Sequence, residues 1–112
     1  MKFDDITEPL VSVVIPVYNR EDTVGRAINS ILNQSYKNLE LIIVDDCSND
    51  NSLKVIREFR DERIRVVELK KNSGANAARN QGIMAARGQY VAFQDSDDEW
   101  DENKLRLQIR DM

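Results

Sequence analysis

Four apolar runs of five or six residues alternate along the chain with segments whose apolar positions recur every three or four residues. Val11-Ser12-Val13-Val14-Ile15 is rich in β-branched residues and stops at Pro16, as a strand does. Leu39-Glu40-Leu41-Ile42-Ile43-Val44 is apolar enough for burial on both faces, Ile64-Arg65-Val66-Val67-Glu68-Leu69 follows, and Tyr90-Val91-Ala92-Phe93-Gln94 is the last run. Between them, Val24, Ala27, Ile28, Ile31 and Leu32 fall at helical spacing, with Asn19 as the expected cap. Ser48 to Asp50 offers cap chemistry for a helix carrying Leu53, Ile56 and Phe59. Ala75, Ala78, Gly82 and Ala85 line one side of a third helix, and Gly88 stands where a C′ residue would end it. A closing helix carries Leu105 and Ile109.

The order β-α-β-α-β-α-β-α predicts an α/β fold: a mostly parallel sheet with helices on both faces, reached by right-handed crossovers. In such sheets ligands bind outside the carboxyl ends of the strands. Three of those ends carry polar clusters: Tyr18-Asn19, Asp45-Asp46 and Asp95-Ser96-Asp97-Asp98. Residues 1–9 are polar, end at Pro9 and read as a leader; residues 10–112 read as one domain portion.

Composition narrows the chemistry. The 112 residues are 41% hydrophobic and 32% charged, a balance that suits one small globular domain or part of a larger one. A net charge of −4 with scattered basic residues argues against a nucleic-acid partner. No apolar run approaches the roughly 20 residues of a membrane span, and the first residues do not form a signal peptide, so a cytoplasmic location is expected. The absence of histidine removes Ser-His-Asp, Cys-His and His-liganded zinc chemistry together. The single cysteine, Cys47, excludes an intrachain disulfide, and Asp45 and Asp46 beside it oppose thiolate formation. What remains is chemistry on carboxylates, a metal and a substrate's own leaving group.

Three carboxylates within the four residues after the last strand are hard to explain by stability, since like charges repel. On an extended segment Asp95 and Asp97 would point to the same side and suit a hard divalent cation, Mg²⁺ or Mn²⁺, completed by water and phosphate. Of Asp45 and Asp46, one can enter the crevice and accept from a base N–H or a ribose hydroxyl while the other holds the turn. Arg79 is a candidate cation for a diphosphate or a tie for the acidic loop.

These residues resemble, in order, the nucleotide-sugar-binding half of family 2 glycosyltransferases of the GT-A fold. The likeness rests on Pro16-Val17-Tyr18-Asn19, Val44-Asp45-Asp46-Cys47-Ser48-Asn49-Asp50, Asn72-Ser73-Gly74 with Ala78-Arg79-Asn80-Gln81-Gly82, and Asp95-Ser96-Asp97-Asp98. It runs from about Val11 to the C-terminus. The resemblance implies a UDP-sugar or other NDP-sugar donor, a glycan or lipid-linked acceptor, and Mn²⁺ or Mg²⁺. It implies that Pro16, Tyr18 and Asn19 line the base pocket, that Asp45 or Asp46 recognises the nucleoside, and that Arg79 lies near the nucleotide. Asp95 and Ser96 then sit at the donor, Asp97 binds the metal with Asp95 nearby, and Asp98 supports it. Cys47 replaces the glycine most often found in its turn.

Family members invert the anomeric centre with an Asp or Glu base well downstream of the Asp-x-Asp. The expectation is therefore a donor-binding portion, incomplete at the C-terminus, whose base lies beyond Met112 and which alone transfers sugar poorly or not at all. In a full-length enzyme it would work in the cytoplasm, at the inner face of the membrane. Other readings fit less well. A calcium loop counted from Asp95 puts Trp100 where Gly is needed and Arg106 where Glu is needed; counted from Asp46 it meets Asn51 and Arg57. A receiver domain would carry its acidic pair after the first strand, and a dehydrogenase would need a Gly-x-Gly-x-x-Gly turn there. A nucleotidyltransferase-like protein would carry a glycine-rich, basic phosphate loop near the first strand. A noncatalytic nucleotide-sugar-binding or interaction module is the remaining alternative.

Overall fold

The computed structural model describes residues 8–110, so most of the expected leader lies outside the described residues. Its end is fastened to the body: the Tyr36 hydroxyl donates to Pro9 O, and Asn38 Nδ2 donates to Glu8 O at 2.7 Å. All eight expected elements form, as β1 (Val11–Val17), α1 (Val24–Leu32), β2 (Leu39–Asp45), α2 (Ser52–Arg57), β3 (Ile64–Glu68), α3 (Ala75–Ala85), β4 (Tyr90–Phe93) and α4 (Lys104–Arg110).

The four strands are parallel in the order β3-β2-β1-β4. Alternation along β1 and β2 sends Val11, Val13, Ile15, Leu41 and Ile43 to one face, against Ile28, Ile31, Ile56 and Leu105 of α1, α2 and α4. Val14, Ile42 and Val44 go to the other face, where α3 supplies Ala78. Full burial of each such side chain contributes about 1.5–3 kcal/mol, more than a helix cap at about 1 kcal/mol. The two central strands therefore hold the fold, and α1 forms with no side-chain bond from Thr23 at its N-cap. Asn19 does not cap that helix; its side chain is used elsewhere.

Close approach of α3 to the sheet depends on its small residues. A Cβ built on Gly82 would lie 2.3 Å from Val14 Cγ1, so any larger residue would push the helix off β1. Gly88 differs from its expected role. The helix ends at Ala85, its C-cap Ala86 is extended, and Gly74 is the one glycine with positive φ among the described residues. Gly88 is needed for space, because its Cβ would meet Leu10 O and Ser12 Oγ, each at 2.7 Å.

That contact belongs to a buried polar cluster on the α3 face. Ser12 Oγ donates to Glu40 Oε2 at 2.5 Å and accepts from Gly88 N at 2.8 Å. Arg87 N donates to the same Glu40 oxygen at 2.7 Å, and Arg65 Nη1 reaches Glu40 Oε1 at 3.1 Å and Ala85 O at 2.7 Å. Glu40 thus clamps the α3–β4 connection to β2. Burial alone would push its carboxyl up, but the bonds from Ser12, Arg87 and Arg65 outweigh it and hold the carboxyl below the ordinary glutamate range.

A lowered folded value means that ionised Glu40 stabilises the fold fully above the ordinary glutamate range. That contribution is lost as pH falls through the lowered value. Urea unfolding of Glu40→Gln is expected to show lower stability at pH 7, by about 1–3 kcal/mol for the charge-assisted bonds. The variant should also show a shallower loss of stability between pH 5 and 3 than the parent chain. Parallel acid limbs for the two proteins would contradict the clamp.

Candidate functional site

The strand order reverses at β1: β2 and β3 lie on one side of it and β4 on the other. The gap outside the carboxyl ends of β1 and β4 is where an open α/β sheet binds ligands. A cavity of about 630 Å³ lies at these strand ends. Five segments supply its walls: Pro16 to Arg20 at the end of β1 and just past it, Asp46 after β2, Asn72 and Gly74 before α3, Ala75, Ala78 and Arg79 in its first turns, and Asp95 to Asp97 after β4.

Asp45 and Asp46 part ways here. Asp45 is buried and lies off the cavity, with Oδ1 accepting from Ser48 Oγ at 2.6 Å and Oδ2 from Ser48 N at 3.2 Å. It holds the turn. Asp46 is equally buried but lines the cavity, and its oxygens accept from Ser73 N at 2.7 Å and Gly74 N at 2.9 Å. Gly74 presents that N–H with φ 93, a conformation glycine adopts without strain. Asp46 therefore joins the end of β2 to the start of α3.

The loop after β1 is stitched to the loop after β2 by short polar side chains. Asn19 N donates to Ser48 Oγ at 3.0 Å, and Asn19 Oδ1 accepts from Asn49 N at 2.7 Å. Arg20 N donates to Ser52 Oγ at 2.7 Å, while Asp50 accepts from Glu21 N at 3.2 Å and Ser52 N at 2.9 Å. Asn19 sits at φ 52, a left-handed conformation that asparagine tolerates better than most residues. The stitching leaves the Tyr18 ring half exposed on the cavity wall, its hydroxyl 3.4 Å from Asn49 Nδ2.

The acidic segment is a turn, Asp98 N donating to Asp95 O at 3.2 Å, and not the extended stretch expected. Asp95 and Asp97 still both line the cavity, with Ser96 buried between them. Asp98 does not line it; its Oδ1 accepts from the neighbouring Glu99 N at 2.9 Å. Arg79 Nη2 lies 3.9 Å from Asp95 Oδ1, and Arg79 Nη1 donates to Asn76 Oδ1 at 3.1 Å, so this guanidinium faces both the acidic turn and the cavity.

Among the described residues, no three acidic or thiol side chains meet as a complete cation cage. Two exposed carboxylates on one turn nonetheless fit Mg²⁺ or Mn²⁺, which keep several waters and take phosphate oxygens as ligands. Arg20 is a cavity residue that the motifs did not single out; it follows Asn19 directly, and its place at a strand end was the available signal. Thr23 and Gln94 were also passed over, and both bond to the acidic turn. Among the described residues no helix is long and apolar enough to cross a membrane.

Comparison with known proteins gives consistent matches. The model of the family described as "Glycosyl transferase family 2" matches residues 12–112. The chain is 48% identical over 107 residues to TuaG of Bacillus subtilis (strain 168), named for glycosyltransferase work in teichuronic acid biosynthesis, covering 94% of this chain and 42% of that protein. It is 45% identical over 100 residues to WfgD of Escherichia coli, named as a UDP-Glc:alpha-D-GlcNAc-diphosphoundecaprenol beta-1,3-glucosyltransferase, covering 89% of this chain and 40% of that one. Among solved structures, S. aureus TarS 1-349 in complex with UDP-GlcNAc aligns with a TM-score of 0.85 at 33% identity, over 89% of this chain and 30% of that one. The mannosyltransferase PcManGT of Pyrobaculum calidifontis, in complex with GDP-Man and Mn²⁺, aligns with a TM-score of 0.83 at 28% identity, over 88% and 30%. The chain thus spans about two fifths of the length of these two curated relatives.

Cys47 occupies φ 60 in the turn after Asp46, so the turn keeps a left-handed backbone without a glycine. That conformation costs a non-glycine residue about 1–2 kcal/mol, against about 0.5–1 kcal/mol of extra chain entropy lost by glycine. Cys47→Gly is therefore expected to stabilise the chain by about 0.5–1 kcal/mol, read as a higher urea midpoint at unchanged m. A lower midpoint would show that the thiol's contact with Lys70 O, at 3.6 Å, outweighs the strain.

Proposed function

The chain belongs to the family 2 glycosyltransferases, and from that premise we propose that it is the donor-binding part of a metal-dependent inverting enzyme. The donor is a UDP-sugar or another NDP-sugar, and the acceptor in a relative-length protein is a glycan or lipid-linked saccharide. The observation that carries this reading is the meeting of Tyr18, Asp46, Arg79, Asp95 and Asp97 on one cavity at the switch point of the sheet. The solved neighbours in complex with UDP-GlcNAc and with GDP-Man support a nucleotide-sugar donor.

Each residue has a role its chemistry allows. Pro16, Val17 and the exposed Tyr18 ring offer an apolar wall for the base. Asn19 keeps that wall in place through its bonds to the second loop. Asp46 keeps lone pairs beyond its two backbone bonds, enough to accept from a base N–H or a ribose hydroxyl. Arg79 and Arg20 supply positive charge for the diphosphate. Asp95 and Asp97 would hold the divalent cation beside it, and Ser96 shapes the turn between them. A bound Mn²⁺ or Mg²⁺ neutralises charge that develops on a departing diphosphate. Deprotonation of the acceptor falls, by the family's pattern, to an Asp or Glu further along a relative-length chain.

Calorimetric titration of UDP into the chain tests this reading, with Mn²⁺ and with EDTA, for the parent and for Asp97→Ala. The expected result is binding in Mn²⁺ that weakens about tenfold or more, ~1.4 kcal/mol, in EDTA or in the variant. Equal affinities in all three conditions would contradict the metal-bridged donor site, and GDP binding in place of UDP would reassign the base.

A further inference from the structure

The backbone of the acidic turn is held by two side chains outside its motif. Of its four carbonyls, that of Asp95 accepts from Asp98 N within the turn. The Ser96 carbonyl accepts from Thr23 Oγ1 at 3.0 Å, across 73 residues of sequence. The Asp98 carbonyl accepts from Gln94 Nε2 at 2.7 Å. Asp95 and Asp97, which line the cavity, are thereby presented on a frame with three of its four carbonyls bonded.

Both side chains are placed in ways that stability alone does not favour. Thr23 stands at the N-cap of α1, where a threonine hydroxyl ordinarily accepts from the helix's first amides; here it makes no cap bond and reaches the turn instead. Gln94 is 2% exposed, and its Oε1 has no protein partner among the described residues. A buried acceptor without a partner is a cost that leucine, similar in volume, would avoid. What glutamine adds is Nε2, bonded to Asp98 O and 3.4 Å from Ala27 O and Ser30 Oγ of α1. Both side chains therefore tie the turn to the same helix.

We propose that Thr23 and Gln94 are positioning residues for the metal-bearing turn: they pin the Ser96 and Asp98 carbonyls to α1 so that Asp95 and Asp97 meet a divalent cation without first ordering the loop. The inference rests on the donor-site reading above. It also joins the two walls of the cavity, because Thr23 N donates to Arg20 O at 3.1 Å, in the loop that carries Tyr18 and Asn19.

The test compares Thr23→Val, Thr23→Ser and Gln94→Leu with the parent, by UDP titration in Mn²⁺ and in EDTA and by amide exchange at Asp98. Thr23→Val and Gln94→Leu are expected to lose about five- to tenfold of the Mn²⁺-dependent affinity, the scale of one hydrogen bond. Their affinity in EDTA should stay within about twofold of the parent, and Asp98 N–H should exchange faster by a factor similar to the loss. Thr23→Ser, which keeps the hydroxyl, should retain parental behaviour. Folded variants with parental Mn²⁺-dependent affinity and parental exchange would overturn the proposal. So would equal losses with and without metal, which a merely structural role predicts. A parent chain with no Mn²⁺-dependent binding would overturn the donor-site reading and this inference with it, a failure distinguishable because it appears before any substitution.

Discussion

One carboxylate, buried at the end of a central strand, holds the site together. Asp46 accepts the N–H groups of Ser73 and Gly74, and its own N–H donates to Val17 O at 2.8 Å. The ends of β1 and β2 and the start of α3 are thus tied through a single residue. A buried charge is tolerated only when it is hydrogen-bonded, and here two backbone donors meet that requirement. Moving any of the three segments would strand it. Gly82 against Val14 sets how near α3 can lie, and Asp46 sets where its first turn begins. The position of Arg79 over the acidic turn follows from both.

Charge explains why such a site would need a metal. Asp46, Asp95 and Asp97 line the cavity with Arg20 and Arg79, an excess of carboxylates facing any anionic ligand. Arg79 is drawn towards Asp95, and among the described residues Arg20 has no acidic partner within ion-pair distance. A diphosphate would meet repulsion on one side that two guanidinium groups offset only in part. A divalent cation shared between the turn and the phosphates removes it.

Much of this was legible in the chain. β-Branched runs gave the strands, although β1 continues through Pro16, where a stop was expected, to Val17; the period of Val24, Ala27, Ile28 and Ile31 gave the first helix, because burial enforces those patterns. The candidate residues singled out by the motifs line the cavity, apart from Asp45 and Asp98, which serve their own turns, and Arg20 was missed. The misreadings share a cause. Asn19 was expected to cap a helix and instead receives Asn49 N–H from a loop 30 residues away; Gly88 was expected to end a helix and instead makes room for Ser12. Thr23 and Gln94 act through bonds that close only when β4 lies beside β1. Local spacing records a residue's neighbours in sequence, whereas these roles are set by strand order.

In the function proposed above, nucleotide and metal meet where the loops after β1, β2 and β4 converge. The most direct measurement is two-dimensional NMR of the chain with UDP, comparing Mg²⁺ with paramagnetic Mn²⁺. The account predicts Mn²⁺ broadening centred on the amides of Asp95 to Asp98, with UDP-induced shifts at Tyr18, Asn19, Asp46 and Arg79. Broadening centred elsewhere, or UDP shifts confined to the opposite ends of the strands around Glu40, would contradict it.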